Sequence, residues 1–269
     1  MGIELTSVGS SSSGNSYIIK GEDTVVILDV GLSGKKIREG LQAIDVKPAD
    51  VDAILITHEH IDHIKSIRLM AKECRNAKII TSEGTCRACE NMRHIDSQRI
   101  TFVRGGERLR VGGLDISVFK LSHDAAEPVG YALSGGEDKL VVVTDTGMVT
   151  EEIRRELVGA TKLVFESNYE ENLLLMGPYP YNVKRRILGD FGHLSNVIAG
   201  NMLSEVIDRQ RNDKKLIKAP RIMLAHISTT NNTAGQARYT VESIMKKNGY
   251  NDGADFNMVV AEKEGITKL

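Results

Sequence analysis

The hydrophobic pattern of the chain predicts strands and helices in quick alternation. In the first half, short runs of β-favouring residues between glycine-containing turns predict strands, and apolar residues three and four apart predict helices. The predicted strands are residues 3–8, 16–20, 24–29, 53–56, 78–81, 129–134 and 139–144, with further short ones between 100 and 120. The predicted helices of this half are residues 34–44, 64–74 and 82–93.

The second half repeats this alternation of helices and strands. Its main predicted elements are helices at 150–157, 195–209 and 233–247 and strands at 162–166 and 221–225. Two sets of strands with helices outside them predict an α/β fold of the four-layer αββα type. No Pro- or Ser-rich linker divides the chain, so residues 1–269 are expected to form a single domain. The run from Ser10 to Ser13 is too short for a linker and predicts a turn whose backbone N–H groups can face an anion.

Composition narrows the class of protein. The chain has 269 residues, of which 41% are hydrophobic and 26% charged, which is typical of a globular protein. Its net charge of -1 gives no overall basic field for nucleic acid, so polyanion binding would need a local patch. The first residues lack a basic stretch followed by an apolar one, and no apolar run approaches the ~18 residues of a membrane span. We therefore expect a cytoplasmic protein without membrane contact.

Three cysteines are too few, and odd in number, for a disulfide framework. Cys86 and Cys89 form a lone Cys-x-x-Cys pair, with Cys74 as the nearest further thiol. A structural zinc would need a fourth ligand, for which only the distant His94 is available. We expect ordinary reduced cysteines.

The densest chemistry lies where the predicted strand 53–56 ends. The segment from Thr57 to His63 contains three histidines and a carboxylate that can bind metal. His58 and His60 are two residues apart, so in extended chain they point to the same side. Asp62 and His63 are expected in the following turn, where they approach from a second direction. This segment predicts a metal site and can serve two ions.

Two metal ions need further ligands from elsewhere in the chain. Four polar residues occur where an apolar strand stops: Asp29, His123, Asp145 and His226. Taken singly, each is compatible with an ordinary turn residue. Together with the histidine segment they predict one site at the ends of the strands, where α/β folds usually assemble their sites.

In their order and spacing, these residues resemble the metallo-β-lactamase superfamily over nearly the whole chain. The resemblance implies three ligands for each of two ions and one bridge: His58, His60 and His123 for the first, Asp62, His63 and His226 for the second, and Asp145 between them. Asp62 is also expected to be catalytic. Asp29 and Asn168 are implied to orient the ligands from behind.

The ligand types indicate the metal and the chemistry. Imidazole and carboxylate donors suit zinc best here, with manganese or iron as alternatives. Two divalent ions about 3.5 to 4 Å apart can share a water, lower its pKa and present a bridging hydroxide nucleophile at neutral pH. We expect two divalent metal ions per chain and a hydrolytic reaction.

The substrate is indicated by Glu166 and His193. Ribonuclease Z has a similar pair, an acid at a strand end and a His ahead of the last ligand, and there the His is thought to protonate the leaving oxygen. A phosphodiester leaving group is strongly basic and benefits from such an acid, whereas the leaving group of a thioester needs none. His193 could instead cap the helix predicted at 195–209.

Four stretches resemble the YycJ/WalJ group of bacterial superfamily members: residues 9–16, 166–169, 192–196 and 226–232. The resemblance implies a 5′-to-3′ DNA exonuclease, with nucleic acid as the partner. The chain departs from the group at Tyr169, where His is common. Neither the protruding arm of ribonuclease Z nor the inserted domain of ribonuclease J is visible.

Basic residues near His193 are candidates for phosphate contact. Lys184, Arg185 and Arg186 precede it directly, and Arg209, Arg211, Lys214 and Lys215 follow in the next helix and beyond. Such a run is also typical of a plain solvated surface.

Several alternatives remain open. The acidic Asp145 and the absence of an export signal disfavour antibiotic hydrolysis, and His60 disfavours a flavo-di-iron oxidase. A glyoxalase II-like thioesterase or a lactonase would keep the same ligands. A protein of another class, which binds a partner and keeps metal only for structure, is disfavoured because a structural site is a single closed one.

Overall fold

A computed structural model describes residues 2–212 and 218–269 of the chain. They form two compact units. The first consists of Met1–Lys120, Ala125–Glu137 and Glu262–Lys268, and the second of Leu121–Asp124, Asp138–Ala261 and Leu269. The single-domain expectation remains a prediction.

The first unit contains a seven-stranded sheet. Its strands are β1 (Glu4–Ser11), β2 (Gly14–Gly21), β3 (Thr24–Leu28), β4 (Ala53–Leu55), β5 (Lys78–Thr81), β6 (Ile100–Phe102) and β14 (Thr267–Lys268). The order is β14-β1-β2-β3-β4-β5-β6, antiparallel from β14 to β3 and parallel from β3 to β6. The two-residue β14 was not predicted, because it is defined only by its pairing with distant β1.

Four helices belong to the same unit: α1 (Gly34–Gln42), α2 (Ile61–Ile64), α3 (Ile67–Glu73) and α4 (Glu83–Ala88). Ile37 and Leu41 of α1 and Ile67 and Met70 of α3 are fully buried in one apolar core with residues of β2, β3 and β4. This packing gives the helices the stability that such short segments lack alone.

The predicted helix at 64–74 is wrong in its beginning and its continuity. A helix already starts at Ile61, so Asp62 and His63 lie in its first turn. It breaks between Ile64 and Ile67, where the N–H of Ser66 donates to the carbonyl of Val30 at 2.9 Å and its hydroxyl to the carbonyl of Leu32 at 2.6 Å. These tertiary hydrogen bonds replace those that a continuous helix would form.

Three more strands of the first unit, β7 (Arg108–Val111), β8 (Leu114–Lys120) and β9 (Val129–Gly135), pair antiparallel in that order. The predicted helix at 82–93 ends at Ala88, after which Glu90–His94 forms a 3₁₀ turn.

The second unit is built on four parallel strands, β10 (Asp138–Val143), β11 (Lys162–Glu166), β12 (Arg221–Ala225) and β13 (Asn257–Val260). Its helices are α5 (Glu151–Leu157), α6 (Glu171–Met176), α7 (Tyr181–Leu188), α8 (Asn196–Asn212) and α9 (Ala234–Lys247). Every residue of β11 is buried, as is typical of a central parallel strand covered on both faces.

Two mixed sheets flanked by helices confirm the α/β sandwich that the sequence predicts. Within the described residues, no helix combines the length and hydropathy that a membrane span requires. The cysteines Cys74, Cys86 and Cys89 are free, and burial raises the pKa of each thiol, that of Cys74 to about 12.

Candidate functional site

The first group of candidate ligands comprises His58, His60, Asp62 and His63, between the end of β4 and the first turn of α2. His58 and His63 are completely buried, and the centroids of their rings lie 4.2 Å apart. The ring of His60 meets that of His58 edge-on at 4.6 Å. Asp62 Oδ2 lies 3.5 Å from His63 Nε2. The short extended link after β4 and the first turn of α2 thus bring four donor residues together.

Asp29 and Thr57 support this group from the protein interior. The carboxylate of Asp29 accepts hydrogen bonds from the N–H of Thr57 at 2.9 Å and from His63 Nδ1 at 2.8 Å. The Thr57 hydroxyl donates to Asp29 Oδ2 at 2.9 Å and accepts from His58 Nδ1 at 3.0 Å. Both histidines are therefore held by Nδ1, and Nε2 of His63 lies 3.2 Å from the amide nitrogen of Asn15.

The second group consists of residues that follow the carboxyl ends of the parallel strands of the second unit. Asp145 comes two residues after β10, Glu166 ends β11 and His226 follows β12. With His193, from the loop before α8, they bring one donor atom each to within 4.8 Å of the others. Adjacent parallel strands end at one sheet edge, and this topology brings the four residues together.

His123 lies beside this second group. Its Nδ1 donates to the carbonyl of Gly192 at 3.1 Å, and its Nε2 lies 3.7 Å from Asp145 Oδ1. Burial lowers the pKa of His123, outweighing the opposite effect of the Asp145 carboxylate. A neutral imidazole with Nδ1 protonated is the form that binds a metal through Nε2.

Glu166 is the most highly connected residue of the second group. Its carboxylate is fully buried, and Oε1 accepts from His193 Nδ1 at 2.8 Å and from His226 Nδ1 at 2.9 Å. Oε2 accepts from the N–H of Thr146 at 3.0 Å. Burial acts to raise the pKa of Glu166, but the two imidazoles outweigh it and the pKa is lowered. The carboxylate therefore stays charged and orients both rings.

The donor set fits divalent metal ions. His58, His63, His123 and His226 each engage Nδ1 with Thr57, Asp29, Gly192 or Glu166. Such a bond behind the ring determines the tautomer and the ring orientation in metal sites. Four histidines held in the same way are compatible with ligation of a metal ion through Nε2.

Three residues at strand ends adopt a left-handed backbone conformation, with φ of 57° at Asp29, 58° at Asp145 and 55° at His226. This conformation is uncommon outside glycine and costs of order 1 kcal/mol or more per residue. Its repetition at three candidate site residues indicates that side-chain placement there is maintained against local preference.

Asn168 and Ser195 complete the surroundings of His193 and His226. The Asn168 amide donates to the carbonyl of His226 at 2.8 Å. The Ser195 hydroxyl accepts from the N–H of Ile198 at 3.2 Å, so it caps α8. His193 is therefore not needed as the cap, and its bond to Glu166 is the one that positions it.

The basic residues of α7 make varied contacts. Lys184 Nζ donates to the carbonyl of Leu175 at 2.7 Å, and the Arg185 guanidinium lies 5.9 Å from the ring centre of Tyr181. Arg186 forms a bidentate ion pair with the carboxylate of Asp124, the residue next to His123. Phosphate binding by these three residues remains a prediction.

The other predicted basic residues are farther along the chain. Arg209 pairs with Glu205 at 2.7 Å and Arg211 with Asp255. Lys214 and Lys215 lie outside the described residues.

Among the contributors to these groups that sequence reasoning missed are Thr57, Thr146 and Gly192. Thr57 was predicted only as part of the segment, although its hydroxyl joins Asp29 to His58. Thr146 and Gly192 supply backbone groups to Glu166 and His123. A backbone donor or acceptor has no side-chain signature, so only Thr57, directly before the first histidine, offered a signal.

Comparison with known proteins shows the family to which the chain belongs. Residues 11–217 match the family model of the metallo-β-lactamase superfamily. The chain belongs to this superfamily, and its fold and its buried His and Asp groups are those of a metal-dependent hydrolase.

Two relatives match along the whole chain. One is an exodeoxyribonuclease YycJ of Bacillus anthracis, 33% identical over 270 residues and covering 100% of this chain and 99% of the relative. The other is an exodeoxyribonuclease WalJ of Streptococcus pneumoniae serotype 2, 32% identical over 272 residues, covering 100% and 98%. These confirm the resemblance that the sequence motifs indicate.

Among solved structures, the metallo-β-lactamase fold protein YhfI from Bacillus subtilis superposes with a TM-score of 0.72 and covers 100% of both chains. At 14% identity this likeness concerns the fold alone.

Proposed function

We propose that the protein is a metal-dependent phosphodiesterase that acts as a 5′-to-3′ DNA exonuclease. Two divalent ions, with zinc favoured over manganese or iron, are held by the two ligand groups. His58, His60 and His123 would bind one ion, Asp62, His63 and His226 the other, and Asp145 both. When bound, the ions supply Lewis acidity and an ionised water at neutral pH. The two exodeoxyribonuclease relatives support this substrate class.

The observation that carries the proposal is the pair Glu166 and His193. His193 Nδ1 donates to a buried, charged carboxylate at 2.8 Å, and the side chain remains 13% exposed. This hydrogen bond orients the imidazole, so that its Nε2 can give a proton to a leaving oxygen. Cleavage of a DNA strand expels a strongly basic alkoxide, for which such an acid contributes about 10²- to 10⁴-fold.

Asp62 is proposed as the second proton carrier. Its carboxylate is 19% exposed, in contrast to the buried His63 beside it. A carboxylate at this position can accept the proton that the attacking water releases. Lys184, Arg185 and Arg186 are proposed to contact the phosphates of the strand, because the helix that carries them leads into the loop of His193.

The general acid is tested by changing the leaving group. His193→Ala should slow DNA cleavage by about 10²- to 10⁴-fold. It should slow hydrolysis of bis(p-nitrophenyl) phosphate far less, because p-nitrophenolate leaves without protonation. Metal content, measured by plasma mass spectrometry, should stay the same.

His94→Ala is the matched control, since His94 is exposed and lies in neither ligand group. Equal losses on both substrates, or a loss of metal, would instead make His193 a ligand.

The substrate and the direction of cleavage are tested with single-stranded DNA, duplex DNA and RNA, each labelled at either the 5′ or the 3′ end. Mononucleotides released first from the 5′ end are expected. Cleavage of a hydroxyacyl thioester or a lactone without cleavage of nucleic acid would support the thioesterase or lactonase alternative.

A further inference from the structure

A cavity of about 280 Å³ lies in the first unit, outside the two ligand groups. Its wall is formed by the turn between β1 and β2, the segment before α1, the end of α2 and the chain before β14. The lining residues are Ser11, Ser13, Gly14, Gly31, Leu32, Ser33, Lys36, Lys65, Lys263 and Glu264. Three serines and three lysines make this lining strongly polar.

The charge of the cavity is positive. Lys36 pairs with Glu264 at 3.1 Å, so that pair is close to neutral. Among the residues that the structure describes, no ion pair involves Lys65 or Lys263, and both are exposed. Two ammonium groups therefore remain for an anionic ligand.

The serine hydroxyls add hydrogen-bond donors. Ser11 Oγ accepts from the N–H of Ser13 at 3.2 Å, and Ser33 Oγ accepts from the N–H of Lys36 at 3.4 Å. Each hydroxyl oxygen accepts a hydrogen bond from a backbone N–H nearby in the chain, and its O–H group can donate to another acceptor. Ser11 is only 2% exposed, so its position is well determined by the protein.

The cavity adjoins the first ligand group. Gly31, in the cavity wall, lies so close to α2 that a Cβ there would be 1.5 Å from the carbonyl oxygen of Asp62. Lys65 follows His63 by two residues, and the N–H of Val30 donates to the carbonyl of His63 at 2.8 Å. One side of the cavity is thus the backbone that carries Asp62 and His63.

We propose that this cavity binds a phosphate group of the nucleic-acid strand, next to the phosphate that is being cleaved. The inference rests on the proposed nuclease function and adds a site for substrate binding to it. Lysine ammonium groups bind phosphate as point charges, and serine hydroxyls donate to its oxygens. The phosphate belongs either to the 5′ end of the strand or to an internal linkage.

The test compares the double variant Lys65→Ala/Lys263→Ala with the parent protein. KM for a single-stranded oligonucleotide should rise about 10-fold, with kcat little changed, because the variant can no longer form two charged hydrogen bonds to the strand. Hydrolysis of bis(p-nitrophenyl) phosphate, which has only the scissile phosphate, should be unchanged. Lys20→Ala/Lys72→Ala, with the same change of charge at exposed lysines outside the cavity, is the control.

Binding is measured separately from cleavage, by fluorescence anisotropy on the metal-loaded His193→Ala protein. Removing the cavity lysines should weaken binding about 10-fold and reduce the slope of log Kd against log salt by about 0.7 for each phosphate that the variant no longer neutralises. If the effect is confined to 5′-phosphorylated strands, the cavity binds the terminal phosphate. If the effect is equal on 5′-hydroxyl strands, the cavity binds an internal phosphate.

Lysine variants that behave like the control pair in both assays would overturn the phosphate site. Failure of the parent protein to cleave any nucleic acid would instead contradict the proposed function. The anisotropy difference would still be measurable in that case.

Discussion

At the scale of single residues, the placement of the candidate ligands depends on side chains outside the two ligand groups. Thr57 shows this most directly, because its buried hydroxyl contacts both Asp29 and His58. The residue holds the tautomer of His58 and the position of the Asp29 carboxylate. Such supporting bonds affect metal affinity by about 10- to 100-fold.

Thr57→Val keeps the size of the side chain and removes only the hydroxyl. We expect metal affinity to fall by about 10- to 100-fold. The free energy of unfolding should drop by about 1–3 kcal/mol, because the buried partners are left without a hydrogen bond. Competition with a chromogenic chelator and urea unfolding measure the two effects. Thr57→Ser retains the hydroxyl and should keep most of the metal affinity and of the free energy of unfolding. If Thr57→Val behaves like Thr57→Ser in both measurements, the hydroxyl is dispensable.

At the scale of elements, the packing of α2 against the segment after β3 places Asp62 and His63. Gly31 allows this close approach, since any Cβ there would overlap the backbone of Asp62. The N–H of Gly31 also donates to the carbonyl of Asn15 at 2.9 Å, which joins β2 to the same segment. A larger residue at position 31 must therefore displace either β2 or the helix α2, which carries Asp62 and His63.

Gly31→Ala is expected to lower the free energy of unfolding by about 1–3 kcal/mol or more, as overpacking does, and to reduce bound metal to less than the wild-type amount. Thermal unfolding and metal analysis measure both. Gly235→Ala, near the start of α9 with no heavy atom within 4 Å of the new Cβ, is the control. Alanine there should be neutral or stabilise by up to about 1 kcal/mol. Equal effects of the two substitutions would contradict a specific role of Gly31 in packing.

The helices α6 and α7 are elements whose bounds the sequence pattern did not predict. Both are short, and Leu175, Met176 and Tyr181 on them are exposed. Their apolar residues therefore do not mark one buried face, and periodicity gave no clear helix. By contrast, α9, with Val241 and Met245 buried, was predicted to within one residue of its start.

At the scale of the whole molecule, each compact unit brings its own set of buried donor residues. His58 and His63 are buried in the first and His226 and Asp145 in the second. Burying so many ionisable groups without a cation is costly. A metal that binds the folded protein but not the unfolded chain should therefore raise stability.

We expect purified protein to contain about two divalent ions per chain. Removing them with a chelator should lower Tm by roughly 5–10 °C, which corresponds to a few kcal/mol for a chain of this size. Calorimetry and metal analysis test this, and readdition of zinc or manganese should restore both Tm and hydrolysis. His63→Ala should bind about one ion fewer, whereas His94→Ala should keep both. A single, tightly held ion with no effect on hydrolysis would contradict the two-metal proposal.

The sequence by itself determined most of the order of strands and helices, and it determined the candidate ligands. A polar residue directly after an apolar run is visible locally, which is how Asp29, His123, Asp145 and His226 were found. The motif from His58 to His63 and the superfamily resemblance were visible for the same reason. These signals depend on residues that are neighbours along the chain.

Only the tertiary structure decided how those residues are held. Glu166 contacts both His193 and His226, Gly31 packs on Asp62, and Lys65 and Lys263 line one cavity although 198 positions separate them in the numbering. Such contacts join residues that are distant along the chain, so they leave no periodicity or local preference to detect. They form only when the sheets and helices pack, because packing is what decides which side chains and backbone groups meet.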